Sequence, residues 1–253
     1  MYYFWYNLGM DISEEAIQCI KKSKKQIFEQ FASDKIYRPF DVPVTFFMAG
    51  SPGAGKTEYS KNFIKNINQI IFEKENTDFP IVRIDADEFR TLCPGYNGNN
   101  SHLFQKATAL AVNKLYDYAL AKKYNILMDG TFSSDKYPEE NIKRALNRGR
   151  EVVIIYIYQD PIIAWDFTLK REKLEGRKIT LEVFIDDFFK AKENVIKIKE
   201  LYKNKVNIVL IKKDYNNAIE KIWLNVESID NYVEFEYTKK SLHDRLKDIK
   251  LKI

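Results

Sequence analysis

The chain has 253 residues, 45% of them hydrophobic, and carries 41 Lys and Arg against 36 Asp and Glu, a net charge of +5. That length and apolar content suffice for one substantial core and exclude global disorder. The basic excess is spread along helical stretches rather than gathered in runs, so it fits a solvated surface with some affinity for anions and makes nucleic acid an unlikely partner.

The first predicted element is an accessory helix, with Ser13 as its N-cap and Ala16, Ile17, Ile20, Ile27, Phe28 and Phe31 on one face. Packing on a sheet is the expected use of that face, with membrane or partner binding as the alternative. Residues 1–43 form this helix and its linker, closed by the Arg38–Pro43 break. An apolar strand from Val44 then runs into Gly50, Ser51, Pro52, Gly53, Ala54, Gly55, Lys56 and Thr57, which fits G-x-x-x-x-G-K-[ST] without exception. The glycines let consecutive N–H groups turn inward on a phosphate chain, and the helix that follows, expected over Glu58–Phe72, adds its positive end. Lys56 is placed to reach the β- and γ-phosphates of ATP, and the Thr57 hydroxyl to sit on Mg2+.

A second strand, Ile81–Ala86, ends in Asp85, Asp87 and Arg90. The Phe104, Ala107, Ala111, Leu115, Tyr118 stripe predicts a helix up to about Lys123. A third strand runs from Tyr124 to Asp129, Gly130 and Thr131, and Pro138 and Gly149 bracket the next helix. Glu151–Tyr158 is the most strand-like run, and Asp160-Pro161 opens a helix that breaks near Glu175-Gly176-Arg177 and restarts after Thr180. Phe184, Phe188, Ala191, Val195, Ile198 and Tyr202 mark its buried face, and Val206–Ile211 is the fifth strand. Tyr232–Tyr237 reads as a small edge strand, with Ser241 capping a last helix. Strands alternating with helices predict an α/β P-loop three-layer sandwich on a five-stranded, mainly parallel sheet. Residues 44–214 would be its core, with a lid around 171–180, and 215–253 a C-terminal α+β extension packed on it. The two cysteines, Cys19 and Cys93, resemble no disulfide framework, and no apolar run reaches membrane-spanning length. A cytoplasmic protein with no membrane partner is the expectation.

Three features narrow the chemistry. Ligands of parallel sheets collect at the carboxyl ends of strands, where Asp85 and Asp87 stand. Asp85 would hold Mg2+ through water and Asp87 would take a proton from an attacking hydroxyl, unless Asp87 is simply a helix cap. Asp129 ends its strand as a carboxylate that holds a metal-bound water does, or is a turn former before Gly130. Arg171 and Arg177 flank a helix break from which a lid could carry guanidiniums onto the transferring phosphoryl group; surface salt bridges are the alternative.

Together, GSPGAGKTE, IDADEFR followed by CPGY, NILMDGT and REKLEGRKIT resemble the zeta toxins, the kinase half of epsilon–zeta-type toxin–antitoxin pairs, from about Val44 to Val195. The resemblance implies a kinase that moves the ATP γ-phosphate to the 3′-hydroxyl of UDP-N-acetylglucosamine, and an antitoxin protein as a partner. It makes Lys56 the phosphate-loop lysine, Asp87 the catalytic base, Arg171 and Arg177 the lid arginines and Thr131 a sugar-nucleotide contact. Arg90 joins the acceptor side. Three positions depart from the family pattern: Asp129 replaces Glu, Ser133 replaces Arg, and Asn113 stands where a substrate-binding Glu is common. These changes leave the kinase chemistry in place and bear on the acceptor, with Asn97–Asn100 and His102 as substitute contacts. Another hydroxyl acceptor (a nucleoside, a nucleic-acid end or an antibiotic) and a non-enzymatic nucleotide switch remain the alternatives.

Overall fold

Alternation along Val44–Ala49 sends Phe46 and Met48 to one face of a sheet and Phe47 and Ala49 to the other, and two separate apolar clusters form accordingly. The computed structural model describes residues 11–98, 100–176, 178–216, 218–234 and 236–250. Its strands are β1 (Val44–Ala49), β2 (Ile81–Asp85), β3 (Asn125–Asp129), β4 (Glu151–Tyr158), β5 (Asn207–Lys213) and β6 (Ile219–Trp223). They lie in the order β2-β3-β1-β4-β5-β6, the first five parallel and β6 antiparallel to β5. The sheet therefore has six strands where five were expected. The extra one is this edge strand, supplied by the C-terminal part of the chain.

The nine helices among the described residues are α1 (Ile12–Lys22), α2 (Lys24–Phe31), α3 (Lys56–Glu75), α4 (Ala86–Arg90), α5 (Gln105–Ala121), α6 (Tyr137–Leu146), α7 (Pro161–Glu175), α8 (Leu181–Tyr202) and α9 (Lys239–Lys250). On the Phe46 face α3 supplies the cover, with Tyr59, Phe63, Ile64 and Ile67 packed on Met48, Leu127, Ile155 and Ile211. The opposite face carries the larger core, where α5 and α8 bury Ala111, Leu115, Phe184, Phe188 and Val195 against Phe47, Ile126 and Ile154. Burial on both faces explains why these strands read as continuous apolar runs.

Two expectations change here. The accessory segment is two helices divided at Ser23, whose N–H donates back to Cys19 while Ile27 N–H bonds Ser23 O; the N-cap position is Asp11 rather than Ser13. This pair packs mainly on α5 and reaches the sheet at β2. The described residues of 232–237 form no strand, and Tyr232 N–H instead closes a 3-10 turn over Ile229–Asn231. The last helix begins at Lys239, where Thr238 and Ser241 exchange hydrogen bonds. Residues distant in sequence also meet: Cys19 Sγ lies 3.8 Å from Leu92 O, and burial, together with the neighbouring Cys19, pushes the Cys93 thiol up to about 11. Both cysteines are free thiols. No helix among the described residues is long and apolar enough to cross a membrane.

Candidate active site

The phosphate loop leaves β1 at Gly50 and enters α3 at Lys56, with left-handed φ at Gly53 (74°) and Gly55 (78°). A Cβ on Gly53 would stand 2.0 Å from Ala164 O and 2.6 Å from Thr168 Oγ1, so the loop rests directly on the backbone of α7. Gly53→Ala is therefore expected to destabilise the fold by more than the ~1–2 kcal/mol that a left-handed side-chain-bearing residue costs, and to weaken nucleotide binding. Thermal unfolding and a nucleotide titration of the purified variant check both.

Lys56, 8% exposed, donates through Nζ to Gly50 O (2.9 Å) and Ser51 O (2.6 Å), both carbonyls of the loop it closes. Among the described residues the Thr57 hydroxyl has no hydrogen-bond partner, leaving it available to an ion. Gly50 N–H donates to Thr131 O at 3.1 Å, which ties the segment after β3 to the loop.

At the carboxyl ends of β2 and β3, Asp85 and Asp129 stand side by side in register. Two neighbouring carboxylates require a cation, and Arg83 supplies it from within β2. Its guanidinium bonds Asp85 Oδ2 (2.6 Å), Asp129 Oδ2, Glu88 Oε1 and the Ser60 hydroxyl (3.1 Å), and its side chain is 11% exposed. Burial opposes that charge, but Asp129, Asp85 and Glu88 outweigh it and hold the guanidinium above its usual range. Asp85 is pushed up, first by burial and then by its carboxylate neighbours, against the pull of Arg83 and of Asp87 N–H. Arg83→Met would leave two buried carboxylates together, so a loss of about 3 kcal/mol or more is expected in urea unfolding.

Sequence reasoning missed Arg83, although a charged residue between Val82 and Ile84 in an apolar strand signals a buried partner. The alternative reading of Asp87, a helix cap, falls away, because the cap is Asp85. Asp85 Oδ1 accepts from Asp87 N–H at 2.9 Å and caps α4, so Asp87 stands in the first turn with its side chain partly buried. Each Asp85 oxygen thereby has one partner, from Arg83 and from Asp87 N–H. Among the described residues, Thr57 Oγ1 and Asp129 Oδ1 have none, since Ser60 and Arg83 both bond Asp129 Oδ2. Among the described residues no group of three or more His, Cys, Asp or Glu gathers at one point; Mg2+ in nucleotide sites characteristically takes one or two protein oxygens plus waters and phosphates.

Asp87 bonds Arg90 through Oδ1, and Arg171 Nη2 from α7 stands 3.6 Å from Oδ2. Arg90 is held inward, its Nε buried and without a partner. Arg177 lies outside the described residues; the break it was expected to flank falls between α7, closed by left-handed Gly176, and α8, capped by Thr180 through Val183 N–H (3.3 Å).

Beside this group opens a cleft of about 560 Å3, walled by the ends of β1–β3, α5, α6 and α8. Asp129, Thr131 and Ser133 line it, as does Ala86, the residue before Asp87; Asp87 and Arg90 are not among the lining residues. Asn113 does not; it turns to Arg144, which also bonds Asn141 (2.8 Å) and Asp117. Asn97 and Asn100 bond each other's backbone and do not line the cleft, nor does His102; Asn99 lies outside the described residues. Sequence reasoning also missed Asp187 on α8, although it lies three residues after Phe184 and four before Ala191 on the buried stripe.

A profile of the zeta toxins matches residues 29–224. The chain belongs to the zeta toxin family. The match begins within α2 and ends just past β6, wider than the motif-bearing stretch. Toxin PezT of Streptococcus pneumoniae serotype 4 is 30% identical over 136 residues, covering 51% of this chain and 50% of that protein. The chain is thus aligned over about half the length of this curated relative. Among solved structures, one from the PezAT chromosomal toxin–antitoxin system of the same species superposes with a TM-score of 0.66 at 17% identity, covering 96% of this chain and all of that one. An AvrRxo1-ORF1:-ORF2 complex with ATP superposes at 0.55 and 14% identity, covering 93% and 71%. At these identities the superpositions establish a shared fold. This zeta toxin family member has the α/β architecture of the P-loop kinases, with its mainly parallel sheet between helical layers.

Proposed function

We propose that this zeta toxin family member is an ATP-dependent kinase for the hydroxyl of a small acceptor, with the 3′-hydroxyl of UDP-N-acetylglucosamine as the leading candidate. The observation that carries the reading is the junction of phosphate loop and cleft: Gly50 N–H bonds Thr131 O, so the loop that ends in Lys56 is tied to a cleft lined by Thr131, Ser133 and Ala86, the residue before Asp87. Mg2+-bound ATP would supply the phosphoryl group and the counter-charge. Residues 50–57 would hold its phosphates, with Thr57 and Asp129 Oδ1 facing the ion. The donor set suits that ligand, because the loop is built around left-handed glycines and the Thr57 hydroxyl has no partner among the described residues.

Asp87 accepts the acceptor's hydroxyl proton, and Arg90 orients its carboxylate from the other oxygen. Arg171, with Arg177 on the same lid segment, neutralises charge on the transferring group. Family membership supports the sugar nucleotide, and the toxin–antitoxin system named for the solved relative supports an antitoxin as partner. The free thiols support a reducing, cytoplasmic setting. The test is incubation with labelled ATP, Mg2+ and a panel of nucleotide sugars, nucleosides and nucleic-acid ends, read by mass spectrometry. Phosphate on the 3′-hydroxyl of UDP-N-acetylglucosamine upholds the full reading; phosphate only on another member reassigns the acceptor; none on any member overturns the kinase.

A further inference from the structure

The wall of the cleft formed by Thr131, Ser133 and Asp187 has a polarity that can be worked out from proton counting. Ser133 Oγ lies 2.5 Å from Asp187 Oδ1 and 2.6 Å from Thr131 Oγ1. A carboxylate accepts, so the single Ser133 proton goes to Asp187. The Thr131–Ser133 contact must then use the Thr131 proton. Both hydroxyl protons are spent inside the wall. What remains toward the cleft is the Thr131 oxygen's lone pairs and Asp187 Oδ2, which has no hydrogen-bond partner among the described residues. Every polar atom of this row is an acceptor.

We propose that Asp187 is a specificity-determining residue of the acceptor site, reading hydrogen-bond donors (hydroxyl or amide N–H) on an uncharged part of the acceptor and rejecting a carboxylate or phosphate there. This rests on the kinase reading above. An uncommitted carboxylate oxygen inside a cleft forfeits solvation unless a donor meets it, and a charge-assisted bond of that kind is among the stronger single contacts a ligand can make. Burial pushes the Asp187 carboxyl up, while the Ser133 bond and the charge of Lys56 pull it back. Lys190, the nearest cation on the same helix, is paired with Asp135 at 2.9 Å rather than bonded to Asp187. The position is also fixed in space: Thr131 is tethered to Gly50, and Asp187 sits in the second turn of α8, beside the buried Phe184 and Phe188.

The test compares full-length wild type with Asp187→Asn and Ser133→Ala, using UDP-N-acetylglucosamine, UDP-glucose and UDP-glucuronic acid as acceptors, together with whichever other panel member wild type phosphorylates. Asn keeps an oxygen for Ser133 but turns a donor to the cleft. The KM for the neutral acceptor should rise by about ten- to a hundredfold, with the KM for ATP and the thermal midpoint unchanged, and preference should shift toward UDP-glucuronic acid. Ser133→Ala should raise the same KM by a smaller factor, because Asp187 then loses its orienting bond. An unchanged acceptor KM in Asp187→Asn, or equal losses for ATP and acceptor, overturns the assignment while the kinase reading stands. A wild type that phosphorylates nothing overturns both.

Discussion

Lys56→Ala is expected to slow phosphoryl transfer by about a hundred- to a thousandfold or more while the protein still folds. The side chain is buried against its own loop, where it donates to Gly50 O and Ser51 O. Both bonds are buried, so their loss is expected to cost about 1–3 kcal/mol of stability. A chain of this size would then lose several degrees of thermal midpoint. The catalytic cost is of another order. A loose phosphoryl transition state spreads negative charge over oxygens that only positioned cations stabilise, and removing one such group from a dry site commonly costs 10²–10³-fold or more. Labelled-ATP turnover on the panel, beside a thermal melt, separates the two effects. Near-normal turnover in the folded variant would mean that the loop is not the active site.

How much of this was legible in the sequence depends on the range of the interaction concerned. The phosphate loop was readable because its chemistry lies in eight consecutive residues, and the five parallel strands because burial on both faces writes each as an unbroken apolar run. Strand β6 was not readable. Its run of Ile219, Glu220, Lys221, Ile222 and Trp223 is exposed through Ile222, as an edge strand can be, and so lacks an apolar signature. The division of the first helix at Ser23 left the apolar spacing on both sides intact, so a single helix fitted equally well. In the site, the carboxylates were visible as strand ends, but their division of labour was not. Which aspartate caps α4 turns on one backbone N–H. That Arg83 bridges Asp85 and Asp129 turns on the register of β2 against β3. Asp187 reaches Ser133 across 54 positions, a meeting that only the packing of α8 on the sheet brings about.

Asp87→Asn is the second large expected effect, and it separates chemistry from binding. Asp85 fixes the first turn of α4 by accepting Asp87 N–H, so the backbone at 87 is held whatever its side chain carries. Asparagine has the same shape and retains an oxygen for Arg90, which leaves the cluster with its neighbour in place. It cannot take up a proton from an attacking hydroxyl. Loss of a positioned base costs about 10²–10⁴-fold in turnover, while the ATP contacts, which lie along residues 50–57, are untouched. The expected pattern is therefore a fall in kcat with the KM for ATP nearly constant. Asp87→Ala adds a further loss, because Arg90 and Arg171 are then left as guanidiniums without their carboxylate. Asp85→Asn, in contrast, keeps the cap oxygen but weakens the pairing with Arg83, and should appear in urea unfolding before it appears in turnover. Nucleotide titrations and single-turnover rates on the three variants decide the matter. If Asp87→Asn loses ATP affinity and turnover in equal proportion, Asp87 holds the site together rather than removing the proton, and the base must be sought among the carboxylates that line the cleft.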